Sequence, residues 1–250
     1  MSKAFEGKVV LVTGANSGIG ETAAVRLQEA GATVFGLARR EDAIAAARLR
    51  HPRIRWLLAD VTNEAQVTAA VQTAVEEGRR LDVVVNNAGI GAFAPLEQST
   101  AEMVRSQFEA NVFGLTFVTR AALSALKDSR GSIVNVGSAA GHRPMPSGAH
   151  YGATKAAVES LTRSWAVELA PFGVRVNTIA PGPTDTPVFE KLGVPKEAIP
   201  AVKAEFVKQV PLGRIASTDE IVHWIVALAD PSVTWVTGQV LSIDGGMSLT

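Results

Sequence analysis

Tyr151 and Lys155 are the two residues whose types and spacing most directly suggest chemistry. Four residues apart on a helix, their side chains would project from the same face, one turn apart. A free tyrosine phenol has a pKa near ~10, and a cation within a few ångströms lowers that pKa by favouring the phenolate. The pair therefore predicts a general acid or base that works near neutral pH, although the same spacing also occurs on helices without chemistry.

A glycine-rich turn near the start of the chain predicts a binding site for phosphate groups. Val9 to Val12 form a run typical of a buried strand, and residues 21–30 have the pattern of a helix. Between them, Gly14, Gly18 and Gly20 would let the main chain turn tightly and approach a pyrophosphate at the helix N-terminus. The alternative is a plain strand-to-helix turn, because the spacing Gly-x3-Gly-x-Gly differs from the commoner Gly-x-Gly-x2-Gly.

Arg39 and Arg40, which follow a predicted second strand at Thr33 to Ala38, indicate which dinucleotide is bound. In NAD-binding domains an acidic residue roughly 20 positions after the glycine turn accepts the ribose 2′-hydroxyl. Arg39 occupies this place, about 19 residues after Gly20, and an arginine there suits a 2′-phosphate through charge-assisted hydrogen bonds. The alternative is a solvated pair of surface arginines.

The composition excludes several other classes of function. The 24 basic and 24 acidic residues give a formal net charge of zero, so no strong field would attract nucleic acid or an anionic membrane. The chain has no cysteine, and its four histidines show no metal-ligand spacing, so we expect no metal site. No apolar run is long enough to span a membrane, and residues 1–6 lack the apolar core of a signal peptide. We therefore expect a soluble cytoplasmic protein.

Strand-like and helix-like segments alternate along the chain, which predicts one doubly wound α/β domain over residues 1–250, with a seven-stranded parallel sheet and helices on both faces. Prolines and glycines at about 187–211 predict a mobile, partly helical flap beside the site. Further strands are predicted at 54–58, 81–85, 132–136, 174–180 and 239–243. Helices are predicted at 63–78, 100–127 and 218–229, and another begins near Glu41. The helix of Tyr151 and Lys155 is predicted to run to about Pro171.

Polar and small residues stand where the strands of this sheet would end. Asn86-Asn87-Ala88-Gly89 follows the fourth strand, where small residues let a ligand lie close to the main chain. Ser138 follows the fifth strand. Asn111 lies in the middle of an apolar helix, where an asparagine costs helix propensity and needs a specific partner.

Together these motifs resemble those of the short-chain dehydrogenase/reductase family, over almost the whole chain. Thr13-Gly14-x3-Gly18-x-Gly20 resembles the family's glycine motif, and Asn86 to Gly89 resembles its sheet-stabilising motif. Gly137 departs from the pattern, since many members carry a second serine there. The resemblance implies a single-domain Rossmann fold. Four residues match the family's active-site positions: Asn111, Ser138, Tyr151 and Lys155.

The resemblance implies hydride transfer between NADP(H) and a carbonyl or secondary alcohol. Tyr151 would exchange the proton, and Ser138 would hydrogen-bond the carbonyl oxygen. Lys155 would lower the pKa of Tyr151 and hold the nicotinamide ribose, and Asn111 would anchor a water that links Lys155 to solvent. The expected cofactor contacts are Gly14, Asn16, Ser17, Gly18, Ile19, Gly20, Arg39, Arg40, Asp60, Val61, Asn87, Ala88, Gly89, Tyr151, Lys155, Pro181, Gly182, Thr184 and Thr186.

The resemblance also implies which residues surround the substrate. Most of them are apolar, so a hydrophobic or aromatic ketone or alcohol is favoured over a sugar. His142 and His150 would add polar contacts, or else they face solvent as loop residues. The expected substrate contacts are Ser138, Ala140, His142, Met145, His150, Tyr151 and Phe189, with Gly91, Ala92, Phe93, Val188 and Leu192 nearby.

Two other functions stay open at this stage. One is an NAD-dependent alcohol dehydrogenase that works toward oxidation. The other is an NADP(H) sensor without chemistry, although such proteins typically lose the tyrosine or the lysine. The resemblance favours carbonyl reduction and a homotetramer in which the helices of Asn111 and Tyr151 pack across a two-fold axis.

Overall fold

The computed structural model describes residues 4–250, so the first three residues of the predicted domain lie outside the described part. Seven strands form one parallel sheet in the order β3-β2-β1-β4-β5-β6-β7, with helices on both faces. This confirms the predicted α/β Rossmann fold, and the strand limits agree with prediction to within two residues. The strands are β1 Val9–Thr13, β2 Thr33–Ala38, β3 Arg55–Leu58, β4 Val83–Asn86, β5 Ser132–Val136, β6 Arg175–Pro181 and β7 Val240–Ile243.

The helices follow the strands in alternation. Asn63 caps one of them by accepting from the N–H of Gln66 at 3.0 Å, and Ser217 with Glu220 forms a capping box at another. They are α1 Gly18–Glu29, α2 Glu41–Arg50, α3 Glu64–Gly78, α4 Ala101–Phe108, α5 Leu115–Ser129, α6 Ala149–Leu169, α7 Val188–Lys191, α8 Ile199–Lys208 and α9 Thr218–Ala229.

Two apolar layers hold the helices against the sheet. Every residue of β1 is buried, and successive side chains alternate between the two faces. Val10 and Val12 pack in the layer formed with α1, α2 and α9. Val9 and Leu11 pack in the layer formed with α3, α5 and α6. The strand order reverses between β1 and β4, and in such sheets ligands bind at the carboxyl ends of the strands beside this switch point.

The long helix predicted at 100–127 is interrupted. The structure has α4, then a π-helical segment at Glu109–Gly114, then α5, which ends at Ser129. Asn111 lies in the π segment and is 1% exposed. A single wide turn of this kind inserts an extra residue into a helix and is common at functional sites.

The segment predicted as a flap is partly helical, as expected, with α7, α8 and a short 3₁₀ turn at Lys196–Ala198. Phe189 of α7 is buried, and its ring centroid lies 5.8 Å from that of Phe206 in α8. The helix that carries Tyr151, predicted to run to about Pro171, ends at Leu169 and continues as a 3₁₀ turn at Ala170–Phe172.

Candidate active site

The glycine-rich turn joins β1 to α1 at the switch point. Gly14 and Gly18 have φ of 64° and 56°, the left-handed region that glycine adopts without strain. A Cβ on Gly20 would lie 2.4 Å from the carbonyl oxygen of Gly14 and 2.3 Å from Asn87 Nδ2. Glycine is therefore required for the main chain to form this cradle. The first N–H groups of α1 have no acceptor within the helix, so the cradle suits a phosphate.

Asn87 and Thr13 hold the ends of β4 and β1 together. Asn87 Nδ2 donates to the carbonyl oxygens of Thr13 at 2.9 Å and Gly14 at 3.3 Å. Thr13 Oγ1 accepts from the N–H groups of Asn87 at 3.0 Å and Ala88 at 2.9 Å. The sequence predicted Asn87 and Ala88 as cofactor contacts. It did not indicate this role of Thr13, whose position directly before the first glycine was the available signal.

The sequence indicated that Asn111 needs a specific partner. In the structure this partner is the main chain after β4. Asn111 Oδ1 accepts from the N–H of Ile90, and Nδ2 donates to the Ile90 carbonyl oxygen and to Thr154 Oγ1. Thr154, fully buried on α6, was missed by the sequence analysis. Its place beside Lys155, on the inward face of the helix, was the signal that could have identified it.

On α6, Lys155 is buried and Tyr151 is half-buried. Burial raises the pKa of Tyr151, and a hydrogen bond with Ser138 partly offsets this. Burial lowers the pKa of Lys155 from 10.5 to about 8. Lys155 Nζ donates to the Val136 carbonyl oxygen at 2.9 Å and lies 5.7 Å from the centroid of the Tyr151 ring. The pKa of Tyr151 is thus raised in this structure, with burial as the largest effect, and the expected influence of Lys155 on it stays a prediction.

Gly89 brings the Asn-Asn-Ala-Gly motif to the same place. A Cβ on Gly89 would lie 2.9 Å from Asn111 Oδ1 and 3.6 Å from Lys155 Nζ. The main chain after β4 therefore passes directly beside the buried lysine. The four predicted catalytic residues and this motif thus lie close together at one end of the sheet.

The residues predicted for the two ends of the cofactor follow β2, β3 and β6. Arg39 and Arg40 are exposed directly after β2. Asp60, after β3, accepts from the N–H and hydroxyl of Thr62 at 2.9 and 2.8 Å, and Val61 is buried. The residues after β2 and β3 therefore lie at the carboxyl ends of their strands, the same edge of the sheet that carries the glycine cradle.

The segment after β6 crosses the glycine turn. Thr184 Oγ1 donates to the carbonyl oxygen of Gly182 at 3.0 Å. A Cβ on Gly18 would lie 3.2 Å from Thr186 Cγ2, so Thr186 rests against the cradle. Pro181, the last residue of β6, is buried.

The predicted substrate contacts are partly gathered around Tyr151. The rings of Phe93 and Tyr151 lie 5.5 Å apart at 57°. The Phe189 ring packs against that of Phe206 in α8. Both ring nitrogens of His142 already have partners, Glu159 and Ser242. The substrate contacts stay predictions for Phe93, Phe189 and His142. The same holds for Ala140, Met145 and His150.

Within residues 4–250, none of the helices combines the length and apolar character needed to cross a bilayer. Across the same part of the chain, histidine, aspartate and glutamate form no group of three or more that could hold a metal ion.

Comparison with known proteins identifies a matching family model and several relatives of this chain. A family model described as enoyl-(acyl carrier protein) reductase matches residues 14–248. The chain is 37% identical over 248 residues to the 3-oxoacyl-acyl-carrier-protein reductase FabG of Thermotoga maritima, which spans 97% of this chain and 98% of that one. It is 37% identical over 245 residues to cyclopentanol dehydrogenase of a Comamonas species, over 96% of each chain.

Solved structures give the same fold with either nicotinamide cofactor. ElxO with NADP bound has a TM-score of 0.89 and 32% identity, and the match covers 97% of this chain and 99% of that one. The 3-ketoacyl-acyl-carrier-protein reductase of Brucella melitensis in complex with NADH has a TM-score of 0.88 and 33% identity, with coverage of 97% and 99%.

Proposed function

Because this chain belongs to the short-chain dehydrogenase/reductase family, we propose that it is an NADP(H)-dependent reductase of a hydrophobic ketone. Membership makes it an oxidoreductase that interconverts carbonyl and alcohol groups. The observation that carries the finer proposal is the convergence of Ser138, Tyr151 and Lys155 beside Gly89. A structural protein has no need of these groups together with a glycine cradle.

In this proposal a bound nicotinamide supplies the hydride, and residues of the chain donate the proton and replace it. Tyr151, kept protonated by burial, donates its hydroxyl proton to the carbonyl oxygen. Ser138 hydrogen-bonds the same oxygen and orients it. Lys155, with a pKa of about 8, can exchange a proton near neutral pH and stabilises the tyrosinate left behind. Asn111 anchors a water that joins Lys155 to solvent.

The preference for NADP(H) over NAD(H) rests on Arg39. An exposed guanidinium directly after β2 suits a ribose 2′-phosphate, and no acidic side chain occupies that position. Asn16 and Ser17 in the cradle are neutral, so Arg39 and Arg40 would supply the charge that faces the phosphate. Similar structures have been solved with NADP and with NADH, so the side chains of this chain must decide the preference.

The proposed substrate is apolar, because most of the side chains expected around it are apolar. Of these, Phe93 has its ring 5.5 Å from that of Tyr151, tilted by 57°. The segment at about 187–211 would act as the flap that excludes water from the reacting carbonyl. A cyclic or aromatic ketone fits these surroundings better than a sugar does.

We also propose the wider setting of the enzyme. The chain would act as one domain in the cytoplasm, as a homotetramer in which the helices of Asn111 and Tyr151 pack across a two-fold axis. Its partners would be the cofactor and a small molecule, with neither nucleic acid nor membrane. Light scattering would test the assembly, and a monomer would refute it.

A second candidate is an NAD-dependent alcohol dehydrogenase, which the similarity to cyclopentanol dehydrogenase favours. A sensor without chemistry is disfavoured because Tyr151 and Lys155 are both present.

The test of these functions is the loss of NADPH absorbance with a panel of cyclic, aromatic and long-chain ketones. The assay is repeated with NADH and, in the reverse direction, with NAD and alcohols. Turnover that prefers NADPH supports the proposal. Turnover only with NAD and alcohols supports the second candidate, and tight binding without turnover supports the sensor.

A further inference from the structure

Gln107 is a buried polar residue on α4 that has no part in the proposed proton transfer. It lies four residues before Asn111, about one turn along the helix, and is 1% exposed. Its Oε1 accepts from the main-chain N–H of Ala92 at 3.1 Å, and its Nε2 donates to the Met103 carbonyl oxygen at 3.0 Å. Both ends of the amide are thus bonded, and one of them holds the loop after β4.

This loop is held at every second residue. The N–H groups of Ile90, Ala92 and Ala94 all have acceptors outside the loop. The acceptor for Ala94 is the carbonyl oxygen of Ser147, at 2.9 Å, in the segment just before α6. The bonds to Ala92 and Ala94 fix the main chain on both sides of Phe93, and with it the point from which the Phe93 ring projects.

The Phe93 ring lies beside the phenol. The centroids of the Phe93 and Tyr151 rings are 5.5 Å apart, and the rings are tilted by 57°. A Cβ on Gly91 would lie 3.1 Å from Phe93 Cε2 and 3.5 Å from Tyr151 Cδ2, so the glycine leaves room for both rings close to the main chain. Phe93 nevertheless keeps 41% of its surface exposed. An exposed aromatic ring next to the proposed proton donor is a surface that a substrate can cover.

We propose that Gln107 is a positioning residue, which holds Phe93 as an aromatic wall of the substrate site and so favours a ketone with an aryl group on its carbonyl carbon. This inference rests on the proposed reductase function and names its substrate class. Aromatic pairs gain energy beyond buried area only within a narrow geometry, with centroids roughly 4.5–7 Å apart. A small displacement of the Phe93 ring should therefore weaken binding of an aryl group more than binding of a saturated ring.

The role of Gln107 can be measured without substrate, because Tyr151 is the only tyrosine of the chain. In the full chain labelled with ¹³C-tyrosine, one set of NMR ring signals reports on this site, and the ring current of Phe93 displaces it. Phe93→Leu should move these signals. Gln107→Met keeps the side-chain length but offers the Ala92 N–H only a weak acceptor, so it should move them in the same direction. In the double variant the second substitution should add little, because both act through one ring.

Ser132→Ala is the matched control for loss of a buried hydrogen bond. Ser132 is 2% exposed, and its hydroxyl donates to the Leu228 carbonyl oxygen at 3.2 Å. It begins β5, whereas Ser138 follows the other end of that strand. The control should lose stability and leave the tyrosine signals unchanged.

Kinetics with two ketones of matched size test the substrate class. Acetophenone carries a planar aromatic ring, and cyclohexyl methyl ketone carries a saturated ring with the same number of carbons. Because the two carbonyl groups differ in reactivity, the informative quantity is the ratio of their kcat/KM values in each variant relative to wild type. This ratio should fall roughly 3–10-fold in Phe93→Leu and in Gln107→Met. The fall should come mainly from KM, since the ring contacts the substrate before and during the reaction.

Gly91→Ala provides a second perturbation that leaves Gln107 intact. Its methyl group would displace the Phe93 ring, so both the ketone ratio and the tyrosine signals should change as they do in Gln107→Met. Tyrosine signals that do not move in Gln107→Met, or that move equally in the Ser132→Ala control, would overturn the positioning role.

The ketone ratio tests the aromatic wall separately from the reductase itself. An unchanged ratio in Phe93→Leu would overturn the wall and the preference for an aryl ketone. Failure of wild type to reduce either ketone with NADPH would count against the proposed function and the aryl substrate. In that case the tyrosine signals would still decide whether Gln107 positions Phe93.

Discussion

The side chain of Asn111 pairs with the main chain of Ile90 as a neighbouring strand would. Oδ1 accepts from the Ile90 N–H at 2.8 Å, and Nδ2 donates to the Ile90 carbonyl at 2.9 Å. Nδ2 also donates to Thr154 Oγ1 at 3.0 Å, and Thr154 donates in turn to the carbonyl oxygen of Tyr151 at 2.7 Å. One buried amide therefore connects the π segment, the loop after β4 and α6, and it fixes the distance between Gly89 and Tyr151.

Replacement of Asn111 tests this connection. Asn111→Asp keeps an acceptor for the Ile90 N–H but places an oxygen against the Ile90 carbonyl. We expect a loss of about 1–3 kcal/mol in the free energy of unfolding and a fall in kcat of roughly 10²-fold, because α6 shifts against the loop. Urea unfolding and ketone-reduction kinetics measure the two effects.

Asn63→Ala is the matched control. It removes another asparagine, the exposed cap of α3, and should cost about 1 kcal/mol of stability without a change in kcat. If Asn111→Asp behaves like this control, with a small stability loss and normal turnover, the amide does not position the site.

The main features of the fold could be predicted from the sequence, because each strand is a short run of buried apolar residues. Val9 to Val12 shows this pattern clearly, and β1 proved to be buried throughout. The break in the helix at 109–114 could not be predicted. A π turn leaves the apolar periodicity almost unchanged, and its stabilisation here comes from contacts of Asn111 with Ile90 and Thr154, which are 21 residues or more away in sequence.

The site could be predicted where a residue type is unusual for its position. Tyr151 next to a turn and Asn111 inside a helix are examples. The electrostatics could not be predicted in the same way, because the direction of a pKa shift depends on burial. The sequence indicated a lysine close to the tyrosine, whereas in the structure burial raises the tyrosine pKa and lowers the lysine pKa. Thr13 and Thr154 were missed because their roles depend on contacts across the sheet.

Tyr151→Phe tests the acid/base assignment. The ring and its contact with Phe93 would remain, and only the hydroxyl would be lost. We expect kcat/KM for ketone reduction to fall by roughly 10²–10⁴-fold, while the affinity for NADPH measured by fluorescence titration changes little. Turnover near the wild-type value would refute the role of the phenol.

The buried lysine should impose a pH dependence on stability. The pKa of Lys155 is lowered from 10.5 to about 8, so between these values the unfolded chain binds a proton that the native protein does not. The free energy of unfolding contributed by this residue therefore rises with pH across that window, and the full cost of burying the charge applies below it. Burial raises the pKa of Tyr151, which acts in the opposite direction only above pH ~10.

Lys155→Met removes this dependence. Relative to the variant, wild type should gain about 2 kcal/mol of unfolding free energy between pH ~7 and pH ~9.5 in urea unfolding experiments. Lys208→Met, which removes an exposed lysine, should run parallel to wild type. If the curves of wild type and Lys155→Met are also parallel, Lys155 does not titrate in this range.

Gly20→Ala tests the cradle. The new methyl group would meet the Gly14 carbonyl and the Asn87 amide at less than contact distance, so β1 and β4 would have to separate. We expect NADPH affinity to fall by roughly 10²-fold and stability by about 1–3 kcal/mol. Gly7→Ala, at φ 73° with no atom near the added carbon, should lose about 1–2 kcal/mol and keep its affinity. Unchanged NADPH binding in Gly20→Ala would contradict the cradle.

Arg39→Ala tests the cofactor preference. A guanidinium that pairs with a 2′-phosphate contributes through charge-assisted hydrogen bonds, which are worth roughly 1.5–3 kcal/mol each. The variant should therefore bind NADPH roughly 10–100-fold more weakly, and its affinity for NADH, which lacks that phosphate, should stay the same or rise. Arg48→Ala removes an arginine that is also exposed, on α2, and should leave both affinities unchanged. Titration of each variant with both cofactors measures the ratio, and an unchanged ratio in Arg39→Ala would assign the preference to other residues.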